Sequence, residues 1–473
     1  MKKSVCFFLI ISILGCTKET INENTESELI DGSGFVSVIK SGVISDGNTD
    51  CRQEIQDLLD NPEVKTIHFD ADHIFIIDVN NGYLNVPSNK TLIIDGILRI
   101  RNRYYNSIED QFDLIRGDSV ENVKIIGNGV IDGNGVLLKD YDRSYHRLIR
   151  FNNSSNIEIS VKTIENNISR NYQPPQNTFH TVGFYNCSNI FIHDLTLTKW
   201  MYEGIGVKDC KNSTIDNVTF LGEAGSWSGI QVGQGSLNTI NSCYVYNAGA
   251  SGIGFDTKNS TISNCRVENN RYHNGFNFGH NPGEPTEDCY IINCIARTNL
   301  IDLSTERGYY GFNFSSTSKN NTLVNCQAIG YCGGKAAGFN ISKGRTYLEN
   351  IKADSCSHGL KIYDAEVYVS NAQLQHNLGM PFFNVDNCET YSFENVRLSE
   401  DSFTGEVNLI NHQNGELTIS NGNVTKMSDI DLKTKDSEST HCSPFIKEKG
   451  NGYFIIGLLY IPKYDANIDY RIN

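Results

Sequence analysis

The chain has 473 residues, long for one ordinary domain but not for a repetitive fold, with 41 Gly against 9 Pro and aromatics led by 23 Tyr and 23 Phe. A formal net charge of −15 excludes non-specific binding to nucleic acid, and it would repel an acidic polysaccharide unless a locally basic cleft received it. No long amphipathic helical stretch is present, which points to an all-β chain rich in turns.

The first predicted element is a targeting segment. Lys2 and Lys3 precede an apolar run from Val5 to Leu14 that is too short to span a bilayer. A cleaved signal over 1–15 is expected, then a polar tether over 16–33. The string Ile13-Leu14-Gly15-Cys16 resembles a bacterial lipobox, which implies a lipidated Cys16 and a surface-exposed lipoprotein of the outer membrane. An ordinary secretory signal with an incidental Cys16 is the alternative.

Asp46-Gly-Asn-Thr-Asp50, a predicted helix over 51–60 and the string TIHFDADHIFII resemble the entry cap of the pectin-lyase-like superfamily, with NKTLIIDGILRI and NVKIIGNGVIDGNG as its first coils. The resemblance covers about residues 38–400 and implies a right-handed parallel β-helix, expected here over 34–430, with residues 431–473 closing the open end. It implies little about chemistry, because that superfamily holds lyases, hydrolases, esterases and non-catalytic tail proteins.

The repeat supports the same fold independently. GIGV at 204 is followed by GIQV at 229, GIGF at 252, GFNF at 275 and 311, GFNI at 338, GLKI at 359 and FFNV at 382, at intervals of 21 to 36 residues. Thr181–Phe184 and Leu148–Phe151 fit the same register upstream. A β-rich period of this length signals a solenoid, whose units share one core because none can bury its apolar face alone. Alternation predicts Phe276 and Phe278 inside and Asn277 outside, with Gly275 at a tight entry turn. A second ladder, Asn217, Ser242, Asn264, Asn293, Asn325, Asn350, Asn371 and Asn395, suits turns closed by stacked amides. Cys187, Cys210, Cys243, Cys265, Cys294 and Cys326 recur every 22 to 33 residues, which suggests stacked buried thiols rather than disulfides.

Chemistry is expected where outward side chains align across coils. The third positions of the strings give Gly183, Gly206, Gln231, Gly254, Asn277, Asn313, Asn340 and Lys361; small Gly rungs would leave room for a sugar ring. Lys208, Asp256 and Lys343 follow the strings, and Trp200, Tyr202, Glu203, Glu223, Trp227, Tyr309 and Tyr331 precede them. Aromatic faces beside amides and charges suit carbohydrate.

Two reactions fit. Elimination from a uronic acid needs a base and a group that neutralises the carboxylate. Arg271, His273, Arg307 and Tyr310 on adjacent coils offer these roles, with Lys335 as a further base and Arg150, His180 and Lys208 as a site elsewhere on the ladder. Hydrolysis needs two carboxyl groups at a set separation, for which Glu203, Glu223, Asp256 and Glu306 are candidates. The polygalacturonase-type hydrolases of this fold carry NTD, a DD pair, GHG and RIK, whereas the matching stretches here read EGIGV, SGIQV, SGIGF and NGFNF. The missing DD pair favours elimination.

The expectation is therefore a monomeric polysaccharide lyase, similar to the lipoprotein lyases of Bacteroidota. Its substrate would be an acidic glycan of the chondroitin, hyaluronan, pectin or alginate kind. A glycoside hydrolase and a non-catalytic surface glycan-binding protein are the alternatives. No cofactor is demanded; calcium would find oxygens at Glu203, Glu223 and Asp256.

Overall fold

The computed structural model describes residues 32–101, 111–135, 145–167, 180–223, 226–271, 274–279, 285–299, 309–315, 317–333 and 336–375, and beyond these the strands 383–386, 391–398, 406–410, 415–420, 431–435, 442–450 and 453–460. The predicted signal and Cys16, with Tyr272, His273, Glu306, Arg307 and Lys335, lie outside the described residues.

The chain is a right-handed parallel β-helix. One short helix, Arg52–Asp60, packs Ile55 and Leu59 against its first coils, where a helix over 51–60 was expected. From there each coil lays strands beside those of the coil before, about 4.8 Å away. One sheet runs through the strings in unbroken register: Ile149 opposes Val182, then Ile205, Ile230, Ile253, Phe276, Phe312 and Phe339. A second sheet begins after the turn that follows each string, and a third completes the coil. Near the end the direction changes, for Tyr453–Tyr460 pairs antiparallel with Gly415–Ser420 and with Cys442–Gly450. Among the described residues no helix is long and apolar enough to cross a membrane.

The phenylalanines of the repeat strings are core, as alternation predicts, whereas Asn277, expected outside, is buried as well. Phe276, Phe278, Phe312, Phe314 and Phe339 are fully buried, and their rings stack along the axis: Phe276 on Phe312 at 4.7 Å, Phe312 on Phe339 at 5.0 Å, Phe278 on Phe314 at 4.3 Å. The glycine at the head of each string answers to crowding rather than to a left-handed turn. A Cβ on Gly275 would lie 2.7 Å from both the Ala296 methyl and the Gly311 carbonyl. Because Phe312 is sandwiched, Phe312→Ala opens a cavity that neither neighbour can fill. A loss of about 3–5 kcal/mol is expected in denaturant unfolding.

The turns carry the predicted amide ladder. Asn217, Ser242, Asn264, Asn293, Asn325, Asn350 and Asn371 all adopt positive φ. Asn264 donates to Asn241, Asn293 to Asn264, Asn325 to Asn293 and Asn350 to Asn325, at 2.6–3.2 Å. Ten of the described cysteines, from Cys51 to Cys356, are buried thiols. Cys187, Cys210, Cys243, Cys265, Cys289, Cys294, Cys326 and Cys356 each point Sγ at the carbonyl two residues earlier, at 3.1–3.5 Å. Burial raises the thiol pKa well above its usual value at Cys243, Cys265 and Cys294, so these groups pack and do not react.

Candidate active site

Parallel register sets unlike residues in line on the outer face of the first sheet. The residue just before each string forms one row, Asp113, Arg147, His180 and Glu203, on four consecutive rungs. The third position forms a parallel row, Arg116, Arg150, Gly183 and Gly206. The residue just after the string places Tyr185 beside Lys208.

These rows converge on His180. Its Nε2 lies 2.5 Å from Glu203 Oε2, and both side chains are more than nine-tenths buried. No aligned hydrogen bond reaches that oxygen, so the contact is a close approach of imidazole and carboxylate. On the other side of the ring, Nδ1 and the Tyr185 hydroxyl are 2.8 Å apart. A carboxylate beside Nε2 favours a proton there, which leaves Nδ1 to accept from the phenol. Burial raises the Tyr185 pKa, with Arg147 and Arg150 working in the opposite direction. Tyr185 as a whole is half-buried.

Beside the phenol sits a cluster of arginines. Asp113 receives Arg147 Nε at 2.6 Å, with Arg150 Nη1 at 3.6 Å and Arg116 Nη1 at 3.7 Å. Arg116 also holds Asp118 at 2.5 Å and lies over the Tyr83 ring at 5.0 Å. Arg150 lies over the Tyr185 ring at 5.6 Å and donates to Asn152 at 3.0 Å. Three guanidiniums thus gather around Asp113 and Asp118. It is a local concentration of arginine in a chain of net charge −15.

The glycine rungs serve this cluster and not a sugar. A Cβ on Gly206 would lie 1.5 Å from His180 Cδ2, so the imidazole occupies the space that the missing side chain leaves. At Gly254 the Gln231 amide fills the same place, 1.9 Å from the would-be Cβ. Gln231 Nε2 in turn donates to the fully buried Asp256 at 3.3 Å. Open rungs waiting for a sugar ring were the expectation; neighbouring side chains fill them.

The other predicted residues divide. Tyr202 and Trp227 stack in parallel, centroids 6.2 Å apart and planes 9° apart, one coil beyond His180. Both are half-buried, and burial pushes the Tyr202 phenol up to about 12. Trp200, by contrast, is wholly buried and meets Phe220 edge-on at 5.8 Å, so it belongs to the core. Asn277, Asn313 and Asn340 are buried and bonded in series: Asn313 donates to Asn277 and Asn340 to Asn313, each at 2.7 Å. Arg271 is turned back toward the main chain, its Nη2 donating to the Glu223 carbonyl and to the Ser226 carbonyl at 3.3 Å. Tyr309 packs partly against the core, Tyr310 is half-buried, and Tyr331 is core. Lys343 pairs with Asp364 on the next coil at 3.6 Å.

Among the described residues, the carboxylates proposed for calcium or hydrolysis do not gather. Glu223 is exposed beside Lys199 at 3.6 Å, Asp256 is bound to Gln231, and Glu203 faces His180. Among the described residues no group of three His, Cys, Asp or Glu side chains is placed to hold a metal ion.

Tyr185, Arg147 and Asp113 escaped the sequence reading. Their signal was the string Leu114-Ile115-Arg116-Gly117, a near copy of Leu148–Phe151 that extends the ladder one rung further upstream.

With this geometry in place, comparison with known proteins defines the class. Residues 147–328 match the family model of the right handed beta helix region. A tailspike protein double mutant of E. coli bacteriophage HK620, solved in complex with pentasaccharide, shares 12% identity over 90% of each chain with a TM-score of 0.55. The Yersinia enterocolitica family 28 exopolygalacturonase shares 15% identity over 77% of this chain and 75% of its own, at TM-score 0.49. PfbA, a surface adhesin of Streptococcus pneumoniae, shares 13% over 89% and 99%, at 0.48. No curated protein matches the chain by sequence. At these identities the likeness is one of fold.

Proposed function

We propose that the protein degrades an acidic extracellular polysaccharide by β-elimination, with Tyr185 as the proton-transferring residue. The observation that carries this reading is the relay Tyr185–His180–Glu203 set beside the guanidiniums of Arg116, Arg147 and Arg150. A tailspike protein of this fold, solved in complex with pentasaccharide, supports a glycan ligand.

Elimination needs a base for the proton next to the uronate carboxylate and a cation that spreads the charge left behind. The half-exposed Arg150 is the cation, with Lys208 one rung beyond Tyr185. As the phenol gives its proton to His180 Nδ1, its oxygen takes the sugar C5 proton. The C4–O bond breaks and a C4–C5 double bond forms. A proton from the relay caps the leaving oxygen, so no water is consumed. Hydrolysis would need two carboxyl groups facing one bond across an open gap. In this cluster Asp113 is tied to arginines and Glu203 to His180.

The stacked Tyr202–Trp227 pair offers a sugar platform on the downstream side. Trp227→Ala is expected to raise KM about tenfold and leave kcat almost unchanged, read by steady-state kinetics. The reaction is tested on a panel of uronic-acid polysaccharides by following both new reducing ends and the ultraviolet absorbance of unsaturated products. The two should rise together. Reducing ends without absorbance would make the protein a hydrolase, and retention on a glycan gel without either would make it a binding protein. Anchoring through Cys16 at the outer-membrane surface belongs to the same proposal; metabolic labelling with a fatty acid tests it, and Cys16→Ala should lose the label.

A further inference from the structure

A second polar surface lies round one corner from the Tyr185 face. On the second sheet, a groove of about 500 Å³ is lined by the amides of Asn89, Asn122, Asn156 and Asn189 and by Phe191, with the ion pair of Lys124 and Glu158 among its walls. We propose that this groove is a separate binding site for a neutral segment of polysaccharide, remote from the reacting bond.

Three observations carry it. The four amides form an exposed ladder: Asn122 donates to Asn89 at 2.9 Å, and Asn156 to Asn122 and Asn189 to Asn156 at 3.0 Å. A carboxamide has two N–H donors and two acceptor sites. The ladder uses one of each at Asn122 and Asn156, which leaves one donor and one acceptor per rung, repeated about every 4.8 Å. That spacing is close to the length of one sugar residue in an extended chain, and vicinal hydroxyls need just such paired partners.

Phe191 supplies the apolar face. It is 40% exposed, unusual for a phenylalanine on a polar sheet. One side of the ring rests on His193 at 4.0 Å, and His193 is held by Asp194 at 2.8 Å and lies 3.5 Å from Glu158. The ring is therefore held before any ligand arrives, and its exposed part can stack on a sugar. Charge sets the ligand class. Lys124 and Glu158 meet at 2.7 Å and cancel, and Lys124 holds the Glu158 pKa below its usual value. With Asp194 close by, the groove carries no surplus positive charge and suits uncharged sugars.

Affinity electrophoresis of the full chain tests this in gels of galactan, glucomannan and xylan. The wild type and Tyr185→Phe should be retarded alike by at least one of these. Phe191→Ala should weaken binding about tenfold, and Phe191→Tyr, which keeps the stacking face, should restore it. Equal thermal melts of these surface variants show that the fold is intact. No retardation in any gel, or Phe191→Ala running with the wild type in a retarding gel, would overturn the site. The outcome is independent of the elimination chemistry, because Tyr185→Phe removes that chemistry and leaves this groove untouched.

Discussion

Tyr185→Phe is expected to lower kcat by about 10²–10⁴-fold, the range for removal of a general acid–base group, with KM nearly unchanged. The substitution removes one oxygen. It leaves the ring, its packing and the cation–π contact with Arg150, and it ends the 2.8 Å contact with His180 Nδ1. Stability should fall by only about 0.5–1.5 kcal/mol, the net value of one hydrogen bond. Steady-state kinetics beside a denaturant titration separate the two effects. A variant within threefold of wild-type kcat would remove Tyr185 from the chemistry and return attention to Lys208.

Gly206→Ala should be more damaging than its size suggests. The new methyl would sit 1.5 Å from His180 Cδ2 and 2.0 Å from Cγ and Nε2, so the imidazole must leave its place. Glu203 then remains a buried carboxylate without its partner, a situation that costs about 3–5 kcal/mol. The relay is also broken, so activity should fall as far as in Tyr185→Phe. Gly183→Ala is the control: its methyl would meet Tyr185 Cε2 at 3.1 Å and His180 Cβ at 3.4 Å, contacts that small shifts relieve. Its expected loss is about 1 kcal/mol. Equal stability and activity of the two variants would mean that the His180 ring is not confined as described.

The coils were legible in the sequence because packing repeats. Each string must send apolar groups inward at alternate positions, and the same demand returns on every rung, so GFNF recurs at 275 and 311 with Phe276 directly over Phe312. The turn asparagines were legible for the same reason. The site was less so, because its members differ from rung to rung. Arg147, His180 and Glu203 stand 33 and 23 residues apart, and only parallel register shows that they are neighbours.

Residue type also misled. Arg271 looked like a carboxylate clamp, yet its guanidinium supports the main-chain carbonyls of Glu223 and Ser226. Trp200 sat in a polar loop by sequence and closes the core against Phe220. Gly206 read as space for a ligand and is space for a histidine. The locally basic cleft expected of an acidic chain has a candidate in Arg116, Arg147 and Arg150, which gather around Asp113.

The most direct measurement is mass spectrometry of the products formed from a uronic-acid oligosaccharide in water enriched with heavy oxygen. Elimination predicts a new non-reducing end lighter by one water than a hydrolysis product, with no heavy oxygen fixed at the cleaved bond in either fragment. A saturated pair of fragments with one heavy oxygen at the new reducing end would contradict it.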